Sequence, residues 1–411
     1  MTEYTEIKSC RVSKEKDLVS ILDIGNQNLT GVFPRPDQEV GIGPLNLVWS
    51  PSSCLVQLKH TYEPTEMYGD NYGYLSSLNN SMVQHLNQKA TYLKNLVDLQ
   101  DGDVVVDIGS NDCTFLKAFP TYTKRIGIDP TIKKFIDYYP KEIYCAADFF
   151  SKESYRKIET EKNAKLVTSI SCFYDLDDPV SFVNDIYEIL SDDGLWHFEQ
   201  AYLPSTLRST SYDTVCHEHI EYYSMLSVQN IFKLTGMKIV DVTLNDINGG
   251  SFAITACKDT NTSIKINHPV INWLIEEEYK MGLHTTKPYF EFAHKTYEHR
   301  DSLINLIRSL RADGKTIYGY GASTKGNVLL QWCGFTSDDI IAIGEVNSDK
   351  FGCVTPGTNI PIISEQEVKN QNPDYMIVLP WHFKNGIIQR EIEYMKSGGK
   401  FIFPLPNIQI I

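Results

Sequence analysis

The chain is expected to be an α/β protein with two Rossmann-like units behind a small, loop-rich β region. Three observations carry that expectation. Val104-Val-Val-Asp-Ile-Gly-Ser-Asn-Asp112 runs β-branched residues into a small-residue turn, and Phe115, Leu116 and Phe119 follow at helical spacing. Lys315-Thr-Ile-Tyr-Gly-Tyr-Gly-Ala-Ser-Thr-Lys-Gly-Asn327 repeats the plan later in the chain. Between positions 104 and 200 apolar strand-like runs alternate with helical patterns, the signature of parallel βαβ units.

The first element, residues 1–66, has short candidate strands at 18–22, 45–49 and 54–58, separated by Gly, Pro, Asn and Ser clusters. A region of this kind has little core of its own and needs a neighbour to pack against. Zinc would need four closely spaced thiols or imidazoles. Cys10 and Cys54 have Ser13, Ser50 and Ser53 near them, and His60 is the nearby imidazole, so no metal ligand set is expected. The next segment, Met67 to Asn79, packs tyrosines, glycines and hydroxyls ahead of an amphipathic helix at 81–97 with Met82, Leu86, Ala90, Leu93 and Leu96 on one side. Tyr72 and Tyr74 make it a candidate lid.

The second element, residues 67–260, carries the first glycine turn. A dinucleotide site needs G-x-G-x-x-G, but only Gly109 is present and Asp112 lies where a diphosphate would sit. An acid beside the loop suits a ligand with a cationic end, as S-adenosylmethionine (SAM) has. Asp129, at the end of the second strand, suits the ribose hydroxyls. Asp148 and Phe149, after the third, suit the adenine amine and ring, and Ser171 ends the fourth. With Asp107, Ser110 and Asn111 these residues form the expected SAM site of a class I (Rossmann-like) methyltransferase domain. The fifth strand, after a turn at 191–194, ends in the polar pair Glu199 and Gln200.

Beyond that strand His217, Glu218 and His219 are consecutive, flanked by Cys216 and Tyr222. The run lacks the i, i+4 spacing of helical zinc sites. An imidazole beside a carboxylate fits a general base, because it titrates near working pH. Asn248 and Gly249 then suggest close backbone approach to a ligand. In the third element, residues 261–411, a charged helical stretch with Trp273, Tyr279, Phe290, Phe292, Leu303 and Leu306 as expected core precedes the second glycine turn. There Gly321, Ser323, Lys325 and Asn327 supply amides, hydroxyls and one cation, the chemistry of a phosphate site.

With 38 basic and 52 acidic residues the net charge is −14, and no basic cluster appears, so nucleic acid and anionic membrane are not expected partners. The N-terminus lacks a signal-peptide pattern, and the nine cysteines contain no C-x-x-C; both point to a reducing, cytoplasmic setting.

Taken together, Cys10-Arg-Val, Leu55-Val-Gln-Leu58, Tyr72-Gly-Tyr-Leu-Ser-Ser77, Asp107-Ile-Gly-Ser-Asn-Asp112, Phe198-Glu-Gln200, Asp213-Thr-Val-Cys-His-Glu-His219, Gly249-Gly-Ser251 and Gly319-Tyr-Gly-Ala-Ser-Thr-Lys-Gly-Asn327 resemble the three-part sugar C-methyltransferases of deoxysugar biosynthesis. The resemblance spans nearly the whole chain. It implies a zinc-binding N-terminal part, a SAM domain and a Rossmann-like C-terminal domain. It also implies C3 methylation of a nucleoside-diphosphate 4-keto-6-deoxyhexose, with the second histidine of H-E-H, here His219, as base. Glu218 would orient the base or hold a sugar hydroxyl, and His217, Tyr72 or Tyr74 would donate to the enolate. Glu199, Gln200, Cys216, Tyr222, Asn248, Gly249 and the second glycine loop would meet the sugar nucleotide. Five positions depart from the family pattern. Ser13 and Ser50 replace zinc cysteines, Cys113 replaces a glycine of the SAM loop, Cys216 stands where tyrosine is common, and Asp175 lies about where a histidine often sits. An O-methyltransferase, a dehydrogenase or a non-catalytic sugar-nucleotide binder are the rival classes.

Overall fold

The computed structural model describes residues 3–63, 67 and 74–411. Tyr72 lies outside the described residues. The N-terminal lobe opens with β1 (Tyr4–Glu6), then β2 (Val19–Asn28), β3 (Ile42–Ser50), β4 (Leu55–Leu58) and β5 (His60–Tyr62). β1 and β5 pair alone, and β2, β3 and β4 form an antiparallel sheet whose other edge is closed from far down the chain by Glu221–Tyr222. The lobe borrows its core: Leu45, Leu47, Trp49, Val56 and Leu58 belong to the same buried cluster as Leu330, Ile377 and Phe401 of the C-terminal unit. Trp49 packs on Tyr289 with ring centroids 5.3 Å apart.

The central sheet contains β6 (Val104–Ile108), β7 (Lys124–Ile128), β8 (Tyr144–Ala146), β9 (Ala164–Ile170) and β10 (Leu190–Ala201). After the edge strand β11 (Glu221–Tyr222) it is completed by β12 (Met237–Asn245) and β13 (Ser251–Lys258). Its order is β12-β13-β10-β9-β6-β7-β8, and β13 runs antiparallel to both neighbours. Counted within the domain this is 3-2-1-4-5-7-6, with the chain reversing direction between β6 and β9. Ligands of open α/β sheets collect at the C-terminal strand ends at such a switch point. The turn expected at 191–194 is instead part of β10, with a register irregularity between Leu190 and Leu195 that takes up the extra residues.

The C-terminal sheet holds β14 (Ile317–Tyr320), β15 (Ile343–Glu345), β16 (Ile362–Ser364), β17 (Tyr375–Val378), β18 (Lys400–Phe403) and β19 (Gln409–Ile410) in the order 16-15-14-17-18-19. All of its pairings are parallel except the last. Its switch point lies between β14 and β17.

Two expectations about the helices need correction. Trp273, Tyr279 and Phe290 are exposed, because helices His268–Met281 and Lys287–Ala312 bury other faces, through Ile271, Leu274 and Glu278 and through Tyr289, Phe292 and Leu303. Helix Asn80–Val97 buries Leu86, Ala90, Leu93 and Val97, while Leu96 turns outward. Asn79 caps this helix, its carbonyl oxygen accepting from the Ser81 and Met82 N–H groups. Among the described residues no helix is long and apolar enough to cross a membrane.

Candidate active site

At the C-terminal end of β6 a solvent-open pocket is lined by Tyr74, Ser76, Asp107, Gly109, Ser110, Asn111 and Ser171 among others. The turn has to be glycine at 109: φ is +72°, and an added Cβ would stand 3.0 Å from that of Cys172. Asn111 and Cys113 also take positive φ (47° and 66°), so the loop is held in a conformation that costs L-residues energy. Cys113 occupies a left-handed position that a glycine would take without strain.

Side chains hold this loop open. Asp129 accepts from the Asn111 N–H at 2.9 Å through one oxygen and from the Thr131 N–H and hydroxyl at 2.6 and 2.5 Å through the other. The oxygen that takes the Asn111 N–H keeps a second lone pair. Ser110 Oγ pairs with the Tyr139 hydroxyl at 2.8 Å. Asp112 does not face the pocket. It is buried and accepts from the Ser77 N–H (2.8 Å) and the Thr114 N–H (3.2 Å), clipping residues 74–78 over the turn. Asn111 completes the clip, donating to the Tyr74 carbonyl and accepting from the Ser76 N–H. Tyr74 therefore lines the cofactor pocket. Beneath it, burial pushes the Asp107 carboxyl up to about 7 against a 2.6 Å hydrogen bond from Thr168. Asp148 and Phe149 are exposed at the sheet edge, Asp148 bonded to the Phe149 N–H.

The pocket's glycine cradle, with Asp107 in its lining and Asp129 bonded to its loop, fits SAM. Gly109→Ala should cost about 1–2 kcal/mol in loop strain and so weaken SAM binding about tenfold. Calorimetric titration checks this, and an unchanged affinity would take the ligand away from the Gly109 turn.

From the pocket a line of contacts leads to the H-E-H run. Ser171 (φ 56°) has its hydroxyl 3.5 Å from Asn248 Nδ2. Asn248, also at positive φ, accepts from Lys325 Nζ at 2.8 Å through its carbonyl. Lys325 comes from the C-terminal glycine loop and shares its surroundings with Asp213, His219 and His382. His219 stands edge-on to Tyr174, with centroids 4.4 Å apart, and its Nδ1 is 3.2 Å from the Thr214 carbonyl. That contact makes Nδ1 the protonated nitrogen, and among the described residues nothing shares the Nε2 lone pair. Burial first, then the Lys325 charge, hold His219 down at about 4, so the ring is neutral at pH 7.

The other expected site residues fall in different places. His217 is fully buried toward the N-terminal lobe, edge-on to Tyr62, with Nε2 3.4 Å from the Gly43 carbonyl; it packs two lobes together instead of facing a sugar. Burial holds it at about 4. Its folded value lies below the unfolded one, so its stabilising contribution is present above pH 6.5 and lost as pH falls toward 4. His217 alone should cost the fold about 2 kcal/mol between pH 7 and pH 5. Urea titrations at the two pH values check this, and an equal loss in His217→Gln would assign it elsewhere.

Glu218 reaches the junction of lobes, 3.4 Å from the Thr30 hydroxyl and against Gly31, where a Cβ would meet its Oε1 at 2.0 Å. Cys216 is buried, and the Tyr222 hydroxyl donates to the Thr214 carbonyl at 3.1 Å, so Tyr222 shares the carbonyl that orients His219 instead of reaching a ligand. Glu199 is likewise spoken for: it accepts from His85 (2.7 Å), Lys89 (2.8 Å) and Asn245 (2.9 Å). Burial pushes its pKa up, but the His85 hydrogen bond and the Lys89 charge hold it at about 2. Gln200 is different. Its amide is buried and neither end has a partner among the described residues, a state that a polar ligand group would relieve.

On the C-terminal loop, Ser323 caps helix Thr324–Cys333 through the Gly326 N–H, Glu345 takes the Ala322 N–H at 3.0 Å, and Asn327 donates to the Thr30 carbonyl at 2.7 Å. Asn327 is thus a tether to the N-terminal lobe, and the loop carries a carboxylate that the phosphate expectation did not include. Gly321 (φ +79°) closes on Pro380, and Gly249 (φ +93°) on Trp381.

Trp381, His382 and Asp213 are site residues that the sequence reading did not select. Trp381 Nε1 donates to Asp213 at 2.7 Å, and His382 keeps Nδ1 buried without a partner among the described residues. For the first two the signal was available: Trp381 and His382 follow β17, next to the second switch point, as Ser171 follows β9.

A class I sheet with this pocket defines a SAM-dependent methyltransferase. A methyltransferase domain model matches residues 82–242, a C-methyltransferase C-terminal domain model residues 246–406, and a zinc binding domain model residues 10–68. C-methyltransferase NovU of Streptomyces niveus is 32% identical over 413 residues, covering 98% of this chain and 97% of that protein. The chain belongs to the three-part, SAM-dependent sugar C-methyltransferase family. Among solved structures, an S-adenosylmethionine-dependent methyltransferase from Clostridium acetobutylicum is 8% identical, with a TM-score of 0.33, over 43% of this chain and 92% of that one. N-methyltransferase NodS from Bradyrhizobium japonicum is 12% identical, also at 0.33, over 44% of this chain and 98% of that one.

Proposed function

We propose that the enzyme methylates C3 of a nucleoside-diphosphate 4-keto-6-deoxyhexose, with His219 as the base. The observation that carries the reading is a neutral imidazole whose Nε2 has no partner among the described residues, set beside the half-buried Lys325 side chain and linked to the cofactor pocket through Asn248 and Ser171. A 4-keto group acidifies the C3–H, because the electron pair left behind delocalises onto the carbonyl oxygen. His219 Nε2 takes the proton. Lys325 and the ring of His382 face the negative charge that develops, in a buried setting where such charges count for more than in water. The bound diphosphate and the enolate raise the proton affinity of His219 in the complex above that of the free enzyme. Glu218 holds a sugar hydroxyl, and Gln200 pairs its amide with the ligand. SAM, when bound, supplies the electrophilic methyl. Holding two substrates in line is most of the work.

The test is mass spectrometry of the sugar nucleotide in deuterated water. Exchange at C3 without SAM and a gain of one methyl with it are the expected results. Methylation confined to sugars without the keto group would replace this reading with O-methylation.

A further inference from the structure

The N-terminal lobe contains two turns of the same build. In each, a residue is followed by two others and then a serine, and the next residue takes positive φ: Cys10-Arg-Val-Ser13 leads to Lys14 (φ 60°), and Ser50-Pro-Ser-Ser53 to Cys54 (φ 57°). In each, the closing serine oxygen accepts from the N–H two residues on, Glu15 at 3.3 Å and Leu55 at 3.2 Å. Two x₂-spaced ligand pairs on facing turns are the frame of a four-ligand zinc site. The four side chains also converge. Cys10 Sγ is 3.1 Å from Ser53 Oγ and accepts from the Val12 N–H (3.4 Å) and Gln57 Nε2 (3.3 Å). The Ser13, Ser50 and Ser53 hydroxyls all act on its thiol.

The donors do not fit zinc. Structural sites use thiolates and imidazoles, whose lone pairs are available at neutral pH; a serine hydroxyl keeps its proton. The frame offers one thiol and three hydroxyls. The nearby carboxylate, Asp17, already accepts from Ser50 Oγ (2.8 Å) and the Ser52 N–H (2.9 Å). The hydroxyls instead bond one another across the gap: Ser52 Oγ donates to Ser13 Oγ at 2.7 Å and pairs with Ser50 Oγ at 3.0 Å. Arg11, buried between the ligand positions, ties the first turn to the Leu58 carbonyl (2.6 Å) and Thr61 (2.7 Å).

We propose that this lobe keeps the two-turn frame of a four-ligand zinc site but folds without the metal, a thiol–hydroxyl network joining the turns in its place. The lobe borrows its core from the C-terminal unit, so it does not depend on metal binding for folding in the way that isolated zinc modules do.

The experiment compares the full-length protein, grown with added zinc, with its Ser13→Cys/Ser50→Cys/Ser53→Cys variant. The natural chain should hold far less than one zinc per chain and melt at the same temperature with or without chelator. The variant should bind about one zinc per chain, give the cobalt absorption of a tetrathiolate site, and melt lower when chelator is added. About one zinc in the natural chain, lost in Cys10→Ser, overturns the proposal. So does a folded variant that takes up neither zinc nor cobalt, because the turns then do not frame a ligand set. Should the triple variant fail to fold, the metal content and chelator response of the natural chain decide alone.

Discussion

His219→Asn is expected to lower the methylation rate roughly 10²- to 10⁴-fold, the span of general-base contributions, while SAM affinity stays within about twofold by titration. Asparagine is the informative replacement. Its amide can donate to the Thr214 carbonyl that Nδ1 now contacts at 3.2 Å, so the loop's geometry is kept. It offers no basic nitrogen at the Nε2 position, so only proton abstraction is lost. C3–H exchange in deuterated water should disappear together with turnover. A variant that retained a tenth or more of the rate would remove His219 from the role of base. The acid limb of kcat/KM in the natural enzyme should lie well below that of an ordinary histidine, because burial and Lys325 hold the free imidazole near 4. Lys325→Met should raise that limb.

The second large effect is on stability. Glu199 is 1% exposed and compensates Lys89, whose side chain is 8% exposed. Removing the carboxylate strands a buried ammonium, so Glu199→Ala should cost about 3–5 kcal/mol, read from the urea midpoint with an unchanged denaturant slope. The same step frees Asn245 and His85 and loosens the hold of helix Asn80–Val97 on β10. Glu199→Leu combined with Lys89→Met should recover most of the loss, because an apolar pair of similar volume asks for no compensation. A stability change under 0.5 kcal/mol with a raised KM for the sugar would return Glu199 to the substrate.

The sequence alone determined the class of this protein. β-branched residues running into Asp107 and Gly109, an acid at the end of the next strand, and a second glycine turn at 319–327 are local signals, and local signals name strands, turns and the helices after them. The H-E-H run was legible for a similar reason: three titratable groups in a row have few structural explanations. What the sequence left open was where those side chains point. In an irregular loop His217 and His219 are two residues apart, yet one packs into the N-terminal lobe and the other faces Lys325, and no periodicity distinguishes them. Glu199 and Gln200 are adjacent on one strand, so they face opposite sides: one side meets His85 and Lys89 of a helix more than a hundred residues earlier, and the other leaves an amide without a partner among the described residues. Asp112 and Asn327 were drawn into contacts with distant backbone, and His382 was brought to the site from a strand end late in the chain. Composition and spacing set which groups can do chemistry. Burial, charge partners and the spare lone pair decide which of them do, and these exist only once segments far apart in sequence share one dry space.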